Sequence, residues 1–170
     1  MSIDVFIDSS ARLGPDVNIG NHSAVGFGVY CSTGLRLGDY VHLGVYTSII
    51  GGRNSCCLFD DFSWTSSGVR IACRGEMPDV LVGPTIPLEY KHMTKTSIVH
   101  FERFSGAYMN AVILPGCTLH EGAVLAAGAV LTTDADPWTI YAGVPAKPLK
   151  SRDTRGLCYE YARRLGYAYR

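Results

Sequence analysis

The strongest constraint in this sequence is a period of six residues. From Ile7 onward an apolar or small residue recurs at every sixth position. The first such positions are Ile7, Leu13, Ile19, Val25, Cys31, Leu37, Leu43 and Ile49. Because six is not close to a multiple of about 3.6 residues, no α-helix can place these side chains on one face.

The period continues in shifted registers along the chain. It slips by four residues across residues 51–54, is interrupted after Ile71, and returns at Phe101. The later positions are Phe59, Thr65, Ile71, Phe101, Ala107, Ile113, Leu119, Leu125 and Leu131. A short strand and a turn, repeated three times per coil, would stack each of these side chains over its counterpart one coil away. A β-sandwich would instead space its strands by roughly 8–12 residues. We therefore predict an all-β solenoid.

Charge and composition exclude several classes of partner. The chain has 15 basic and 15 acidic side chains, so its formal net charge is zero, and it contains no run of Lys or Arg. This favours neither nucleic acid nor an anionic membrane as a partner. The first 14 residues carry two acids before the first base and no continuous apolar stretch. We expect neither a signal peptide nor a membrane span, and hence a cytoplasmic protein.

The clearest part of the repeat, residues 111–147, carries a specific resemblance. It contains an Ile-Leu-Pro-Gly coil at 113–116, two Gly-Ala-Val coils at 122–124 and 128–130, and a closing Ala-Gly-Val-Pro-Ala-Lys element at 142–147. This combination resembles the hexapeptide-repeat acyltransferases, over almost the whole chain. Segments 59–64 and 83–90 resemble the family's sugar-modifying branch, whose members acetylate sugars.

The resemblance implies a left-handed parallel β-helix over residues 1–150, assembled as a homotrimer with active sites between neighbouring subunits. It also implies acetyl-CoA as the acyl donor, lying in the groove between two β-helices near their C-terminal coils. The matching positions for the donor here are Ala127, Gly128, Thr132, Thr133, Pro145, Ala146 and Lys147. Relatives usually have Thr-Lys where this chain has Thr132-Thr133, so one cation expected near the CoA phosphates is missing. Lys147, Lys150 or Arg152 could replace it.

Two segments do not follow the repeat. Residues 72–97 predict a loop that projects from the solenoid, because an interruption of that length in a compact domain is usually functional. In the family such a loop reaches a neighbouring subunit and helps to line the acceptor site; a purely structural clasp is the alternative. Residues 151–170 predict one amphipathic helix, since Leu157, Tyr161 and Leu165 recur at spacings of four. We expect this helix to cap the open end of the solenoid.

The catalytic base is the least determined part of the site. The galactoside and chloramphenicol branches of the family place a catalytic His in the loop after the middle coils. The segments of this chain that align with that position, residues 74–77 and 82–85, contain no His. His92 in the same loop and Glu76, near the position of the family's His, are the candidates. His22 and His120 fall at coil corners, while His42 and His100 precede inward positions and should face outward. No strong base is needed for an amine acceptor, so transfer to nitrogen and transfer to oxygen both remain open.

We therefore predict an acetyl-CoA-dependent acetyltransferase that acts on a sugar or a nucleotide sugar for a surface polysaccharide. One alternative is a non-catalytic β-helix that serves only in assembly. Another is a zinc hydratase on the same β-helix, which needs three histidines converging across a subunit interface. The spacing of the five histidines argues against that arrangement, and we predict no metal site.

Overall fold

The computed structural model describes residues 3–52, 54–76 and 94–169. These residues form short β-strands and one helix, α1 (Arg155–Arg164). The strands are β1 (Phe6–Ile7), β2 (Arg12–Leu13), β3 (Val17–Ile19), β4 (Ala24–Val25), β5 (Tyr30–Cys31), β6 (Gly34–Leu37), β7 (His42–Leu43), β8 (Ser48–Ile50), β9 (Cys56–Phe59), β10 (Trp64–Thr65), β11 (Arg70–Ala72), β12 (Arg74–Glu76), β13 (Thr94–Thr96), β14 (Ile98–Phe101), β15 (Gly106–Ala107), β16 (Val112–Ile113), β17 (Thr118–Leu119), β18 (Val124–Leu125), β19 (Val130–Leu131), β20 (Thr139–Ala142) and β21 (Lys147–Ser151).

The strands stack into three parallel sheets, which we name faces A, B and C. Face A contains β1, β4, β7, β10, β15, β18 and β20, with β21 antiparallel at its end. Face B contains β2, β5, β8, β11, β16 and β19, and face C contains β3, β6, β9, β14 and β17. The chain visits faces A, B and C in turn, so the molecule is a parallel β-solenoid with A–B, B–C and C–A corners. This confirms the predicted solenoid.

The interruptions of the repeat appear as changes in coil length. The chain advances 18 residues between the paired positions Val25 and Leu43, 22 between Leu43 and Thr65, and 42 between Thr65 and Ala107. The extra residues lie in the four-residue slip, residues 51–54, and in the long loop, residues 72–97. Both insertions are at the B–C corner. The solenoid therefore resumes in register after each insertion, as the sequence predicts.

The predicted inward positions form the core. From Val25 to Leu131 each of them is at most 4% exposed. The rings of Phe59 and Phe101, in successive coils, are stacked with centroids 4.4 Å apart. Ile7 is exposed because the first coil has a neighbour on one side only.

The C–A corner is built from aromatic residues with left-handed backbone. Tyr40, Phe62, Phe104 and Trp138 all have positive φ, between 51° and 61°, a conformation that is unfavourable for bulky side chains. Tyr40 stacks on Phe62 at 5.1 Å, and Phe62 stacks on Phe104 at 5.4 Å. This aromatic ladder, which begins at His22, offsets the local strain.

The C-terminal segment differs from the expected end cap. Helix α1 covers only Arg155–Arg164, and its predicted apolar side chains Leu157, Tyr161 and Leu165 are about half exposed. The opposite side of the helix and the residues after it lie along the C–A corner, where Tyr159 contacts Phe104 with ring centroids 5.5 Å apart. The tail packs on the aromatic ladder, where the rings of Tyr167 and Phe62 have centroids 5.2 Å apart, while at the end of the solenoid β20 and β21 pair as a hairpin.

Candidate functional site

The predicted donor residues come together at the C-terminal end of face B. Ala127 and Gly128 form the A–B corner that leads into β19, and Thr132 and Thr133 follow β19 directly. The closing loop folds back onto the same strand, because the Val130 N–H donates to the Gly143 carbonyl over 3.0 Å. The Ala146 N–H in turn donates to the Val130 carbonyl over 2.8 Å. Three segments that are separate in sequence thus surround one end of face B.

The surface they form is open to a ligand. Ala127, Gly128, Thr132, Thr133, Pro145 and Lys147 are all exposed. Gly128 has a φ of +67°, and a Cβ on it would meet no atom within 4 Å. Ala146 differs from the rest: it is buried, and its N–H is already bonded within the closing loop. These small, exposed residues fit an extended ligand such as CoA, with Ala146 holding the loop in place.

The three cations that could replace the one missing beside the CoA phosphates are not equivalent. The Arg152 guanidinium donates to the carbonyls of Phe104 and Gly122 over 2.7 and 2.9 Å, so it is held in the C–A corner. Lys147 and Lys150 are both exposed on β21. Lys147 adjoins the closing loop beside face B, which makes it the replacement that the geometry favours.

The long loop has an ordered root at the B–C corner. Its first and last residues form the antiparallel pair β12–β13, and the Ser97 N–H donates to the Cys73 carbonyl over 3.0 Å. Gly75 lies against Pro115 of the next coil, where a Cβ on Gly75 would be 3.1 Å from the proline ring. The root therefore leans toward the C-terminal coils, on the side where the donor segments converge. Glu76 ends β12 at this root, and His92 lies outside the described residues.

The histidines in the described part of the chain lie away from this region. His100 Nε2 is 2.9 Å from Asp60 Oδ1 on the outer side of face C, and this hydrogen bond raises the pKa of His100. His120 Nδ1 is 3.1 Å from Glu102 Oε1, and His22 stacks on Tyr40 at the C–A corner. His42 is exposed on face A. None of these four lies on face B or at the B–C corner.

Charged side chains are unevenly distributed over the described surface. A cavity of about 710 Å³ lies beside face C, and its lining includes four carboxylates and two arginines: Asp60, Asp61, Glu102, Glu121, Arg36 and Arg103. The described strands of faces A, B and C contain no Asp or Glu, and the carboxylates of the solenoid lie at its corners. Face B differs from the others in carrying two outward arginines, Arg12 and Arg70, at the start of β2 and β11, in addition to the donor segments at its end. Anionic ligands are attracted by such cations. Face B and its corners are therefore the candidate site.

Two arrangements were missed from the sequence, one outside the candidate site and one within it. The pair His100 and Asp60, on face C, joins positions that are 40 residues apart. Arg12 and Arg70 precede the inward positions Leu13 and Ile71, so the six-residue period could have assigned both to the outer side of one face. The six-residue period therefore contained the signal for the two arginines. Pairing His100 with Asp60, in contrast, requires knowing how many residues the inserted loop adds between their coils.

Known proteins confirm the family. No family model matches the chain, but the dTDP-4-amino-4,6-dideoxy-D-glucose acyltransferase of Escherichia coli is 30% identical over 158 residues, which cover 87% of this chain and 79% of that protein. WbbJ of Escherichia coli K12, named as a lipopolysaccharide biosynthesis O-acetyl transferase, is 26% identical over 135 residues, covering 79% of this chain and 66% of the relative.

A solved structure is similar over almost the full chain. AntD, an N-acyltransferase from Bacillus cereus, was crystallised with dTDP and 3-hydroxybutyryl-CoA. It superposes with a TM-score of 0.89 at 26% identity, over 98% of this chain and 91% of AntD. The fold is thus the left-handed parallel β-helix of the acyltransferases, with an inserted loop and a C-terminal helix.

This chain belongs to the hexapeptide-repeat sugar acyltransferases, as the resemblance implied. It is an acyltransferase of the kind that uses acyl-CoA. Among the residues that the structure describes, no helix is long and apolar enough to cross a membrane.

Proposed function

We propose that this protein transfers the acetyl group of acetyl-CoA to the amino group of a sugar carried on a nucleoside diphosphate. The observation that carries the proposal is the convergence of the three donor segments at the C-terminal end of face B, the face that carries Arg12 and Arg70. The product would be an N-acetylated sugar for a surface polysaccharide, made in the cytoplasm.

Nitrogen is favoured over oxygen as the acceptor atom by two observations. A sugar hydroxyl is a poor nucleophile and needs a positioned base, whereas a neutral amine needs much less activation. Three of the four described histidines lie on face C or at the C–A corner: His22, His100 and His120. His42, on face A, is the one that a neighbouring copy would bring near face B. In addition, the Escherichia coli relative is named for a 4-amino sugar and AntD for N-acyl transfer. A hydroxyl acceptor, as named for WbbJ, is the second candidate.

The reaction assigns distinct tasks to the residues. Bound acetyl-CoA supplies an activated thioester, so the protein must orient the amine and remove one proton from the nitrogen as the new C–N bond forms. The C–S bond of the thioester breaks in the same transfer, and the CoA thiolate takes up a proton and leaves as the free thiol. Glu76 and His92, both in the long loop, are the groups that would accept this proton. Lys147 would pair with the phosphates of the donor, and Ala127 and Gly128 would allow its close approach.

The site would be completed by a second copy of the chain. Exposed apolar side chains line the A–B corner: Phe27, Tyr46, Tyr108 and Met109 are 48%, 62%, 51% and 52% exposed. A row of this kind favours burial against another surface. If three copies meet along this corner, face A of one copy lies opposite face B of the next. The result would be a homotrimer with grooves between subunits.

Titration calorimetry with acetyl-CoA, with the oligomer mass measured on the same sample, tests this proposal. We expect saturable binding at one site per subunit of a trimer. Absence of binding by a folded trimer would refute the transferase and leave a module for assembly.

The acceptor and the base are tested by activity. We expect turnover with dTDP-4-amino-4,6-dideoxyglucose and none with the matching 4-hydroxy sugar. Glu76→Gln or His92→Gln should lower kcat by up to about 10²-fold, the lower end of the usual contribution of a general base, because an amine needs less activation than a hydroxyl. Acetyl-CoA affinity should change little. His100→Gln, on the outer side of face C and away from the proposed groove, is the matched control. Unchanged kcat in both loop variants would exclude the two residues as bases.

A further inference from the structure

A small, mostly apolar pocket on the outer side of face B is lined by one cation, Arg70, and one hydroxyl, that of Ser48. Arg70 and Ser48 stand directly opposite each other in the parallel pairing of β11 with β8. Together with Ile50, Ala72 and Val112 they line a depression of about 160 Å³. Neither polar residue is used by the donor segments described above.

Ser48, which lines this pocket, has an unsatisfied hydroxyl. Its Oγ is buried and has no hydrogen-bond partner among the described residues. Burying a hydroxyl without a partner is unfavourable, and such groups usually have a function or a missing ligand. A ligand that accepts a hydrogen bond from Ser48 would remove the penalty.

Arg70 is a cation without a counter-ion among the described side chains. By comparison, the exposed Arg36 is 2.6 Å from Asp16, and the half-buried Arg103 is 2.8 Å from Glu121. No carboxylate among the described side chains forms an ion pair with Arg70, which is exposed. Its guanidinium can bind two oxygen atoms of one phosphate group side by side, which an ammonium cannot do.

We propose that Arg70 and Ser48 bind the diphosphate of the nucleotide-linked acceptor. This inference rests on the proposed function and adds the residues that select a nucleotide-linked sugar over a free one. The guanidinium would bind the phosphate oxygen atoms, and the Ser48 hydroxyl would donate one further hydrogen bond.

The position of the pocket agrees with this assignment. Arg70 is two strands away from β19 within face B, about 10 Å at the usual spacing of neighbouring strands. The donor segments lie at β19, so donor and acceptor phosphates would occupy separate parts of one face. The chain also passes from β11 directly into the loop that carries Glu76. A diphosphate held at Arg70 would therefore leave the attached sugar beside both the loop and the donor.

Binding of dTDP and of acetyl-CoA, measured separately by calorimetry, tests the assignment. Arg70→Gln should weaken dTDP binding by about tenfold or more, as expected for loss of a charge-assisted contact, and leave acetyl-CoA binding unchanged. Ser48→Ala should weaken dTDP binding by a few-fold without lowering the Tm of the free protein, because it removes an unsatisfied group. Arg36→Gln, which removes an exposed arginine from face C, is the control and should change neither affinity.

Each contrary result has a distinct meaning. If Arg70→Gln weakens acetyl-CoA binding but not dTDP binding, the pocket serves the donor and the inference is wrong. It is also wrong if the wild-type protein binds acetyl-CoA but not dTDP, although the donor half of the proposed function then stands. If the wild-type protein binds neither, both the inference and the proposed function fail.

Discussion

Replacing Tyr167 and Tyr169 by Phe tests how the C-terminal tail is held on the C–A corner. The Tyr167 hydroxyl donates to Asp39 Oδ2 over 2.5 Å, and the Tyr169 hydroxyl donates to Asp61 Oδ2 over 2.6 Å. The other oxygen of each carboxylate accepts a backbone N–H, from Asn21 and Asp39 respectively. The two hydroxyls therefore tie the tail to a chain of carboxylates that runs from coil to coil.

The expected loss of stability follows from these contacts. Phenylalanine keeps the ring contacts of Tyr167 and Tyr169 with Phe62 and removes only the hydroxyls. A hydrogen bond to a charged group contributes about 1.5–3 kcal/mol, but both tyrosines are partly exposed, so water can partly replace it. We expect about 1 kcal/mol for each hydroxyl and about 2 kcal/mol for the pair. For a chain of this length that corresponds to a decrease in Tm of about 4–8 °C.

The pH dependence has a definite sign. Burial by itself would raise the pKa of Asp39, but the hydrogen bonds from Tyr167 and Asn21 outweigh it and lower that pKa from its ordinary value of 3.8. A carboxyl whose pKa is depressed by folding stabilises the protein above its unfolded pKa and loses this contribution as the pH falls through the folded pKa. The difference between variant and wild type should therefore shrink in strong acid.

Thermal unfolding followed by circular dichroism, at neutral pH and at low pH, measures both effects. Tyr161→Phe is the matched control, because Tyr161 lies on the exposed side of α1 and should leave Tm unchanged. A double variant that melts within about 1 °C of wild type at neutral pH would refute the reasoning, since the hydroxyls would then contribute almost nothing.

Three further predictions concern other parts of the molecule. Lys147→Gln should weaken acetyl-CoA binding by about 3–10-fold in calorimetry without lowering Tm, as expected for loss of one exposed cation beside phosphates. Gly106→Ala should lower stability by about 1–3 kcal/mol and alter tryptophan fluorescence, because the new Cβ would lie 2.1 Å from the indole of Trp64. In an NMR titration the pKa of His100 should lie above 6.5 and fall in Asp60→Asn, because the Asp60 carboxylate stabilises the protonated ring.

Each of these has a control or a contrary result. Lys150→Gln, on the same strand as Lys147, should leave acetyl-CoA affinity nearly unchanged, and an equal loss in both would indicate general electrostatic attraction. A Gly106→Ala variant with wild-type Tm and fluorescence would show that the indole can move freely. An unchanged His100 pKa in Asp60→Asn would contradict the hydrogen bond as its cause.

The six-residue period determined most of the fold by itself. Each coil pairs with the coil before it, so one local pattern fixes the strand positions, the inward side chains and the register across both insertions. Leu43, Thr65 and Ala107 could be aligned from spacing alone, and the structure pairs them directly. The assignment of the donor segments came from the family resemblance rather than from the period, and it stays a prediction.

Only the tertiary structure decided where the non-repeating parts lie. The spacing of Leu157, Tyr161 and Leu165 indicated an amphipathic helix, yet its contacts are made by the opposite side and by the tail that follows. Which side of the helix packs against the solenoid depends on the aromatic ladder. Its members Tyr40, Phe62 and Phe104 are far apart in sequence and come together only when successive coils stack. In the same way, Arg70 and Ser48 meet only through the pairing of two coils. A periodic sequence specifies contacts between equivalent positions, but contacts with non-repeating segments depend on surfaces that exist only after the coils have assembled.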